Sequence, residues 1–304
     1  MKQELFVGIE IGGTKLQIVS GNANGQILSS HRFEVMGKEG AVGIQHRIEA
    51  IMKEHFIGRM AAIGIGFGGP VNRITGQIAT SFQVEGWSGF PITDWLETIS
   101  GCPVRVDNDA NVAALGEATF GAGKGFSPVL YITLGSGVGA GLVIDDKIYH
   151  GILPGELEIG HLRMDKAGTI LEACCSGWAV DRKIREVVAK HPGAILSELT
   201  GNDQKGEAKY LKAAMDANDP SALRIFDETM DDLAFGLSHA IHLLHPEVIV
   251  LGGGLSLIGE PLRNAVAEKL PSYLMKAFIP APAITLSTLK EQAVPVGSLI
   301  LAGQ

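Results

Sequence analysis

A short apolar strand followed by a glycine turn occurs twice along the 304-residue chain. Residues 5–11 form an apolar run rich in β-branched side chains, which ends in Gly12-Gly13. Residues 129–134 form a second such run, which ends in Gly135-Ser136-Gly137. In both copies two further strand patterns follow. The copies begin about 125 residues apart, which is typical of a duplicated domain and too long for a solenoid repeat. The sequence therefore predicts an α/β chain of two similar domains.

Helical patterns lie between and after the predicted strands, at residues 41–56, 109–120, 222–244 and 294–302. Asp109 is the predicted N-cap of the second helix, because its carboxylate can accept hydrogen bonds from the first turn. The glycine-rich stretch 121–127 predicts a domain boundary. We expect an N-terminal domain over residues 1–122 and a larger C-terminal domain over 123–292, with a last helix at about 293–304 that packs back on the first domain. A ligand is expected in the cleft between two such domains.

Composition limits the compartment and the partners. A formal net charge of -8 argues against a general nucleic-acid binder, whose binding surface is usually basic. No run reaches the roughly 18 apolar residues of a membrane span, and the N-terminus shows no secretory signal. The three cysteines include the adjacent pair Cys174 and Cys175, which favours a reducing compartment over a disulfide framework. We expect a cytoplasmic protein without a nucleic-acid or membrane partner.

Three glycine turns each follow directly after an apolar strand, at residues 12–15, 135–137 and 252–254. Backbone N–H groups can surround a phosphate in such a turn, because glycine has no Cβ atom in the way. The hydroxyls of Thr14, Thr133 and Ser136 would add donors. Any one of these turns could equally be an ordinary strand ending. Three of them, two in duplicated positions, favour a phosphate or nucleotide site.

Five short motifs then occur in a fixed order, at residues 8–15, 108–111, 135–139, 158–161 and 251–254. The ordered set resembles the ROK family (repressors, open-reading-frame kinases and sugar kinases) of the actin-like, hexokinase-like ATPase superfamily. The resemblance runs from about residue 5 to the C-terminus. It implies two similar actin-like (ribonuclease H-like) α/β domains flanking a cleft, with a small-molecule sugar and a nucleotide as ligands. Because family members are often dimers, it also implies a homodimer.

The resemblance implies roles for the polar residues of two of these motifs. Asp109 matches the catalytic base, which accepts the proton of the attacking sugar hydroxyl during phosphoryl transfer. The residues that match sugar contacts are Asn108, Asp109, Glu158, His161 and Glu172. Carboxylates, amides and imidazoles suit a polyol because they exchange directional hydrogen bonds with hydroxyls. The alternative is that Asp109 only caps its helix and that His161 is a structural histidine whose hydrogen bonds are satisfied within the fold.

On the nucleotide side, the resemblance implies ATP and Mg²⁺ as cofactors. Glu10 stands where the family usually has an aspartate, which is linked to the Mg²⁺–phosphate end of ATP. The longer side chain suits contact with Mg²⁺ through a water molecule, because Mg²⁺ takes few direct carboxylates and keeps several waters. The full nucleotide set implied by the resemblance is Glu10, Gly12, Gly13, Thr14, Lys15, Thr133, Gly135, Ser136, Gly137, Gly253 and Gly254.

Many ROK members carry a cysteine-rich zinc segment after the histidine that matches His161. Here residues 163–172 contain no cysteine, and Ile170 stands where the last zinc cysteine would be. A structural zinc site needs about four nitrogen or sulfur ligands, which this segment does not supply. We therefore expect no zinc.

The resulting prediction is an ATP-dependent kinase that phosphorylates a hydroxyl, expected to be the 6-hydroxyl, of a hexose such as glucose or an N-acetylhexosamine. A repressor of this family would carry a helix-turn-helix ahead of the first strand, for which the residues before that strand leave no room. A non-catalytic sugar or nucleotide sensor remains the alternative, because Glu10 and the missing cysteines depart from the family pattern. The sequence does not decide between the sugars, or between ATP and polyphosphate as donor.

Overall fold

The computed structural model describes residues 4–35, 39–81, 84–153, 155–201 and 203–304. They form an α/β protein with two five-stranded sheets and one two-stranded ribbon. The chain divides into two compact units. The first unit contains Met1–Gly125, Gly141–Glu156 and Thr288–Gln304, and the second contains Phe126–Ala140 and Leu157–Ser287. The domain boundaries expected from the sequence remain a prediction; they differ from these units mainly in the placement of residues 141–156.

The first sheet is mixed, and its strand order is β3-β2-β1-β4-β7. In chain order, the first seven strands are β1 (Phe6–Ile11), β2 (Lys15–Gly21), β3 (Ile27–Glu34), β4 (Ala62–Phe67), β5 (Val71–Asn72), β6 (Gln77–Ile78) and β7 (Val104–Asn108). β1 pairs antiparallel with β2 and parallel with β4, and β4 pairs parallel with β7. All six residues of β4 are buried, as expected of a parallel strand covered on both faces.

The second sheet repeats this layout in the order β10-β9-β8-β11-β12. Its strands are β8 (Val129–Leu134), β9 (Val138–Ile144), β10 (Lys147–Ile148), β11 (Val248–Gly252) and β12 (Ala283–Leu286). β11 pairs parallel with both β8 and β12, and β9 pairs antiparallel with β10. Position by position, the strand order matches that of the first sheet, so the duplication predicted from the sequence is present in the fold.

Ten α-helices surround the sheets in the part of the chain that the structure describes. They are α1 (Gly40–Ile51), α2 (Ile92–Ser100), α3 (Asp109–Phe120), α4 (Leu171–Cys175), α5 (Gly177–Lys190), α6 (Ile195–Thr200), α7 (Leu211–Asp216), α8 (Pro220–Leu244), α9 (Glu260–Lys269) and α10 (Ala293–Gly303). Among the described helices, none combines the length and the apolarity needed to cross a bilayer.

The helix α10 lies against the first sheet with almost no side chain between the two backbones. A Cβ atom added to Gly64 of β4 would be 2.0 Å from the carbonyl oxygen of Ser298, and one added to Gly8 of β1 would be 2.9 Å from that of Pro295. The crossing of α10 and α3 is equally close, since a Cβ on Gly297 would be 1.8 Å from the Val112 carbonyl oxygen. Glycine is required at these positions because any side chain would push the helix off the sheet.

Candidate active site

The first glycine turn joins β1 to β2 in the first unit. The Gly12 N–H donates to the Lys15 carbonyl at 2.8 Å, which closes the turn. Thr14, at its tip, is exposed, and Gly13 is half-buried. The neighbouring strand β4 is tied to the same place, because the Gly68 N–H donates to the Ile11 carbonyl at 2.8 Å. The turn is therefore held on both sides while its tip stays open to solvent.

Glu10 and Lys15 form an ion pair next to this turn, with 2.8 Å between Glu10 Oε2 and Lys15 Nζ. The side chains are 12% and 20% exposed, respectively. Burial raises the pKa of the Glu10 carboxyl above its usual range, and the Lys15 ammonium opposes that rise. A carboxylate oxygen is the kind of hard ligand that Mg²⁺ prefers. Glu10 and the adjacent turn thus fit a Mg²⁺–phosphate group.

The junction of β7 and α3 places two of the predicted sugar-binding residues. Asn108 Oδ1 accepts hydrogen bonds from the N–H groups of Ala110 and Asn111, at 2.9 and 3.4 Å, and its Nδ2 donates to the Gly69 carbonyl at 3.2 Å. Asn108 is therefore the N-cap of α3, and the prediction that Asp109 caps this helix is wrong. The physical reason is that an amide can accept from the helix and donate to Gly69 at once, whereas a carboxylate can only accept.

Asp109, the first residue of α3, points its carboxylate toward the end of β1. A Cβ atom added to Gly68 would be 3.3 Å from Asp109 Oδ2 and 3.5 Å from the Cα of Gly12. Asp109 and the first glycine turn are thus brought together around Gly68, within the first unit. The role of Asp109 as catalytic base remains a prediction.

In the second unit, the other two glycine turns meet at one edge of the sheet. β8 and β11 are parallel neighbours with Thr133 opposite Gly252, so the turns that follow them lie side by side. Gly253 has a φ of +80°, and a Cβ there would be 2.6 Å from the backbone of Leu134. The backbone geometry and the close approach both require glycine at this position.

A pocket of about 650 Å³ lies in the first unit beside Thr14 and Lys15, and a second pocket of about 630 Å³ opens between the two turns of the second unit. The second pocket is lined by Leu134, Gly135, Ser136, Gly177, Trp178, Asp181, Gly206, Ala208, Lys209, Lys212, Gly254, Leu255, Leu257 and Ile258. The N-terminus of α5 begins there, capped by Ser176, and the Gly177 N–H donates to the Gly135 carbonyl at 2.7 Å. Apolar side chains beside glycine turns and a helix N-terminus suit a ligand with a flat apolar part and an anionic part.

The remaining predicted sugar-binding residues also lie in the second unit. Glu172 Oε2 accepts a hydrogen bond from the Val138 N–H at 2.9 Å. A Cβ on Gly137 would be 2.4 Å from that oxygen, and one on Gly160 would be 3.4 Å from it. The carboxylate of Glu172 is therefore fixed between the third predicted motif and the turn that carries His161.

Glu158 and His161 lie at the two ends of a single turn. The His161 N–H donates to the Glu158 carbonyl at 3.0 Å across the 3-10 turn Ile159–His161. Both residues are exposed, while Ile159 and Gly160 between them are buried. The turn presents one carboxylate and one imidazole to solvent. The roles predicted for Glu158 and His161 remain a prediction.

Comparison with known proteins agrees with this geometry. The model of the ROK family matches residues 6–304. The chain belongs to the ROK family. It is 32% identical to a glucokinase from Thermotoga maritima, over 96% of this chain and 95% of that protein. It is also 32% identical to a glucokinase from Halalkalibacterium halodurans, over 98% of this chain and 94% of that protein.

Among solved structures, the chain is similar to a ROK family glucokinase from Streptomyces griseus in complex with glucose and AMPPNP. The TM-score is 0.86, the identity is 31%, and the match covers 99% of both chains. The family resemblance stated from the motifs is therefore confirmed, and so is the actin-like α/β fold expected from it.

The loop that carries the zinc cysteines in many ROK members is here closed by hydrogen bonds. Arg163 and Ile170 form an antiparallel bridge. Asp165 Oδ1 accepts from the N–H groups of Gly168 and Thr169, at 2.8 and 3.1 Å, and its bonds from Thr169 lower the pKa of the Asp165 carboxyl. These bonds close the loop from Arg163 to Ile170, and the expectation that no zinc binds remains a prediction.

Sequence reasoning missed two parts of this ROK site. The first is Trp178, which is 62% exposed at the rim of the second-unit pocket; its place at the start of a helix after Ser176 was the available signal. The second is the cluster Asp107, His150 and Glu156, whose ligand-type atoms lie within 4.8 Å of one another. Asp107 lies 43 residues before His150, and no spacing rule connects it with His150 and Glu156.

Proposed function

We propose that this ROK protein is a hexose kinase that transfers the γ-phosphate of ATP to the 6-hydroxyl of a hexose, with glucose as the first candidate. The observation that carries the proposal is the position of Asp109, in the first turn of α3 beside Gly68 and Gly12, while Asn108 caps the helix. A base for phosphoryl transfer must stand near the phosphate turn. The glucokinase relatives and the glucose complex of the Streptomyces griseus enzyme support glucose.

Each group of site residues has a separate role in the proposed reaction. Asp109 accepts the proton of the attacking hydroxyl, and Asn108, Glu158, His161 and Glu172 bind and orient the sugar hydroxyls. The first glycine turn, with Thr14 and Lys15, binds the phosphates together with the turns at residues 135–137 and 253–254. Glu10 would hold Mg²⁺ through water, and the ion, when bound, neutralises charge on the phosphates.

The pocket in the second unit favours ATP over polyphosphate as the donor. Its lining includes Trp178, Leu255, Leu257 and Ile258, and Trp178 and Leu257 are 62% and 70% exposed. A large apolar surface is useful for a ligand with a nucleobase, since polyphosphate offers only charge. We further propose that the kinase requires Mg²⁺ and acts in the cytoplasm as a homodimer, as the composition and the family resemblance led us to expect.

The test is a coupled ADP-release assay with ATP and Mg²⁺ across hexoses and N-acetylhexosamines, with polyphosphate as a second donor. Asp109→Asn should lower kcat by about 10²- to 10⁴-fold, the usual contribution of a general base. Asp94→Asn is the matched control, because Asp94 also lies in the first turn of a helix in the first unit and is exposed. No turnover with any sugar, together with a thermal shift on adding glucose or ATP, would instead identify a non-catalytic sensor.

A further inference from the structure

Buried polar side chains link the start of α3 to the segment that leads to Glu158. Asp107 and Asn111 are each only 4% exposed. The Nδ2 group of Asn111 donates to Asp107 Oδ1 at 2.9 Å and to Glu156 Oε1 at 2.7 Å. One amide therefore bridges two carboxylates, and each bond is charge-assisted. Asn111 suits this role because an amide nitrogen carries two hydrogens, one for each carboxylate.

Each carboxylate has a further partner on another segment. Asp107 Oδ2 lies 2.7 Å from His150 Nε2. Glu156 Oε2 accepts from the Gly151 N–H at 3.3 Å and lies 4.0 Å from the Arg73 guanidinium. Because these oxygens already face hydrogen-bond donors and a cation, the cluster is a hydrogen-bond network rather than a metal site. Its effect is to fix the Glu156 side chain, which is 7% exposed.

The residue after Glu156 has an unusual backbone. Leu157 has a φ of +54°, a left-handed conformation that a branched side chain adopts only at a cost. Its carbonyl accepts from the Ile159 N–H at 2.6 Å. Such a conformation persists when the surroundings hold it in place. Glu156, which Asn111 anchors, is the residue before Leu157, and Glu158 is the residue after it.

We infer that Glu156 is a positioning residue for the sugar site. Its carboxylate, held by Asn111, fixes the turn at Leu157 and thereby sets where Glu158 stands. The inference rests on the proposed role of Glu158 as a sugar ligand. It also gives the hydrogen-bond network of Asp107, Asn111 and His150 a use, because that network is what holds Glu156.

Removing the anchor should weaken sugar binding selectively. Glu156→Ala is expected to raise the KM for glucose about tenfold, while the KM for ATP changes by less than about twofold. Glu156→Gln keeps an oxygen that can accept from Asn111, so it should restore most of the glucose affinity. Glu54→Ala, which removes an exposed carboxylate of the same unit, is the matched control and should leave both KM values unchanged.

A second readout does not depend on turnover. In the ligand-free protein, amide hydrogen exchange over residues 157–162 should be faster in Glu156→Ala and near the wild-type rate in Glu156→Gln, with β11 unchanged in both. Unchanged exchange over 157–162, or an equal rise in both KM values, overturns the inference. A wild-type protein that phosphorylates no sugar overturns the proposed function instead, and the exchange comparison still decides the role of Glu156.

Discussion

Glu117 is a fully buried carboxylate that accepts hydrogen bonds from two distant stretches of backbone. It lies in α3 with 0% exposure. Its Oε2 accepts from the Ala122 N–H at 2.7 Å, and its Oε1 accepts from the Leu289 N–H at 2.9 Å. The chain first leaves the first unit after Gly125, and it returns to that unit for the last time at Thr288. Glu117 therefore holds both the segment of the first departure and the segment of the last return.

The variant Glu117→Gln isolates this function, because it preserves the volume of the side chain. The glutamine carboxamide has one acceptor oxygen, so it can keep one of the two hydrogen bonds. Its NH₂ group takes the place of the other oxygen and cannot accept from the backbone N–H that faces it. Losing one hydrogen bond to a charged group costs about 1.5–3 kcal/mol, and the second bond weakens because its acceptor becomes neutral. We expect the free energy of unfolding of the first unit to fall by about 3 kcal/mol. That is a large share of the roughly 5–15 kcal/mol typical of a folded domain.

Urea unfolding followed by tryptophan fluorescence measures this quantity. Two of the three tryptophans, Trp87 and Trp95, lie in the first unit, and Trp87 is fully buried, so the signal reports mainly on that unit. The midpoint should fall in Glu117→Gln without a change in slope. Glu54→Gln, which neutralises an exposed carboxylate of the same unit, should leave the midpoint unchanged. A loss below about 0.5 kcal/mol for Glu117→Gln would refute the view that this carboxylate anchors the two segments.

Two further measurements address the nucleotide side. Because burial raises the pKa of the Glu10 carboxyl above 4.5, the folded chain keeps this proton to a higher pH than the unfolded chain. The stabilising contribution of protonated Glu10 is therefore complete below about pH 4.5 and is lost as the pH rises through the folded pKa. Because the glutamine cannot ionise, the Tm of Glu10→Gln relative to the wild type should rise between about pH 4 and pH 7. A Tm difference that does not change with pH contradicts this. Trp178→Ala should raise the KM for ATP about tenfold and leave the KM for glucose unchanged, because stacking of a base on an aromatic ring contributes about 1–3 kcal/mol. Equal KM values for ATP in the variant and the wild type would exclude stacking on Trp178.

The duplicated sheets could be predicted from the sequence because each signal is local. An apolar run that ends in glycine indicates a buried strand and its turn, whatever the rest of the chain does. Both sheets have the same strand order, and the turns at residues 12–15, 135–137 and 252–254 lie at strand ends as predicted. Local signals do not indicate which polar residues belong to the predicted site, and that prediction came from the order of the family motifs.

Features that depend on long-range contacts could not be predicted from the sequence. Asn108 and Asp109 are both good N-cap residues, and propensity alone does not choose between them. The choice is made by the Gly69 carbonyl, 39 residues away in the sequence, which needs a donor that only the amide of Asn108 provides. The assignment of residues 141–156 to the first unit has a similar cause, since a Cβ on Gly141 would be 2.7 Å from the Ala110 carbonyl oxygen of α3.

The polar residues of α3 explain why so much of the first unit depends on one helix. Its residues from Ala110 to Ala118 are all buried, so the helix has no solvent face on which a polar side chain could be hydrated. Asn111 and Glu117 must therefore find partners inside the protein, because an unpaired buried polar group is costly. Asn111 donates to Asp107 and Glu156, and Glu117 accepts from the N–H groups of Ala122 and Leu289. Glu156, Ala122 and Leu289 each lie within four residues of a point where the chain enters or leaves the first unit. Hydrogen bonds of these two buried side chains thus connect three chain crossings of the first unit to the helix whose first residue is Asp109.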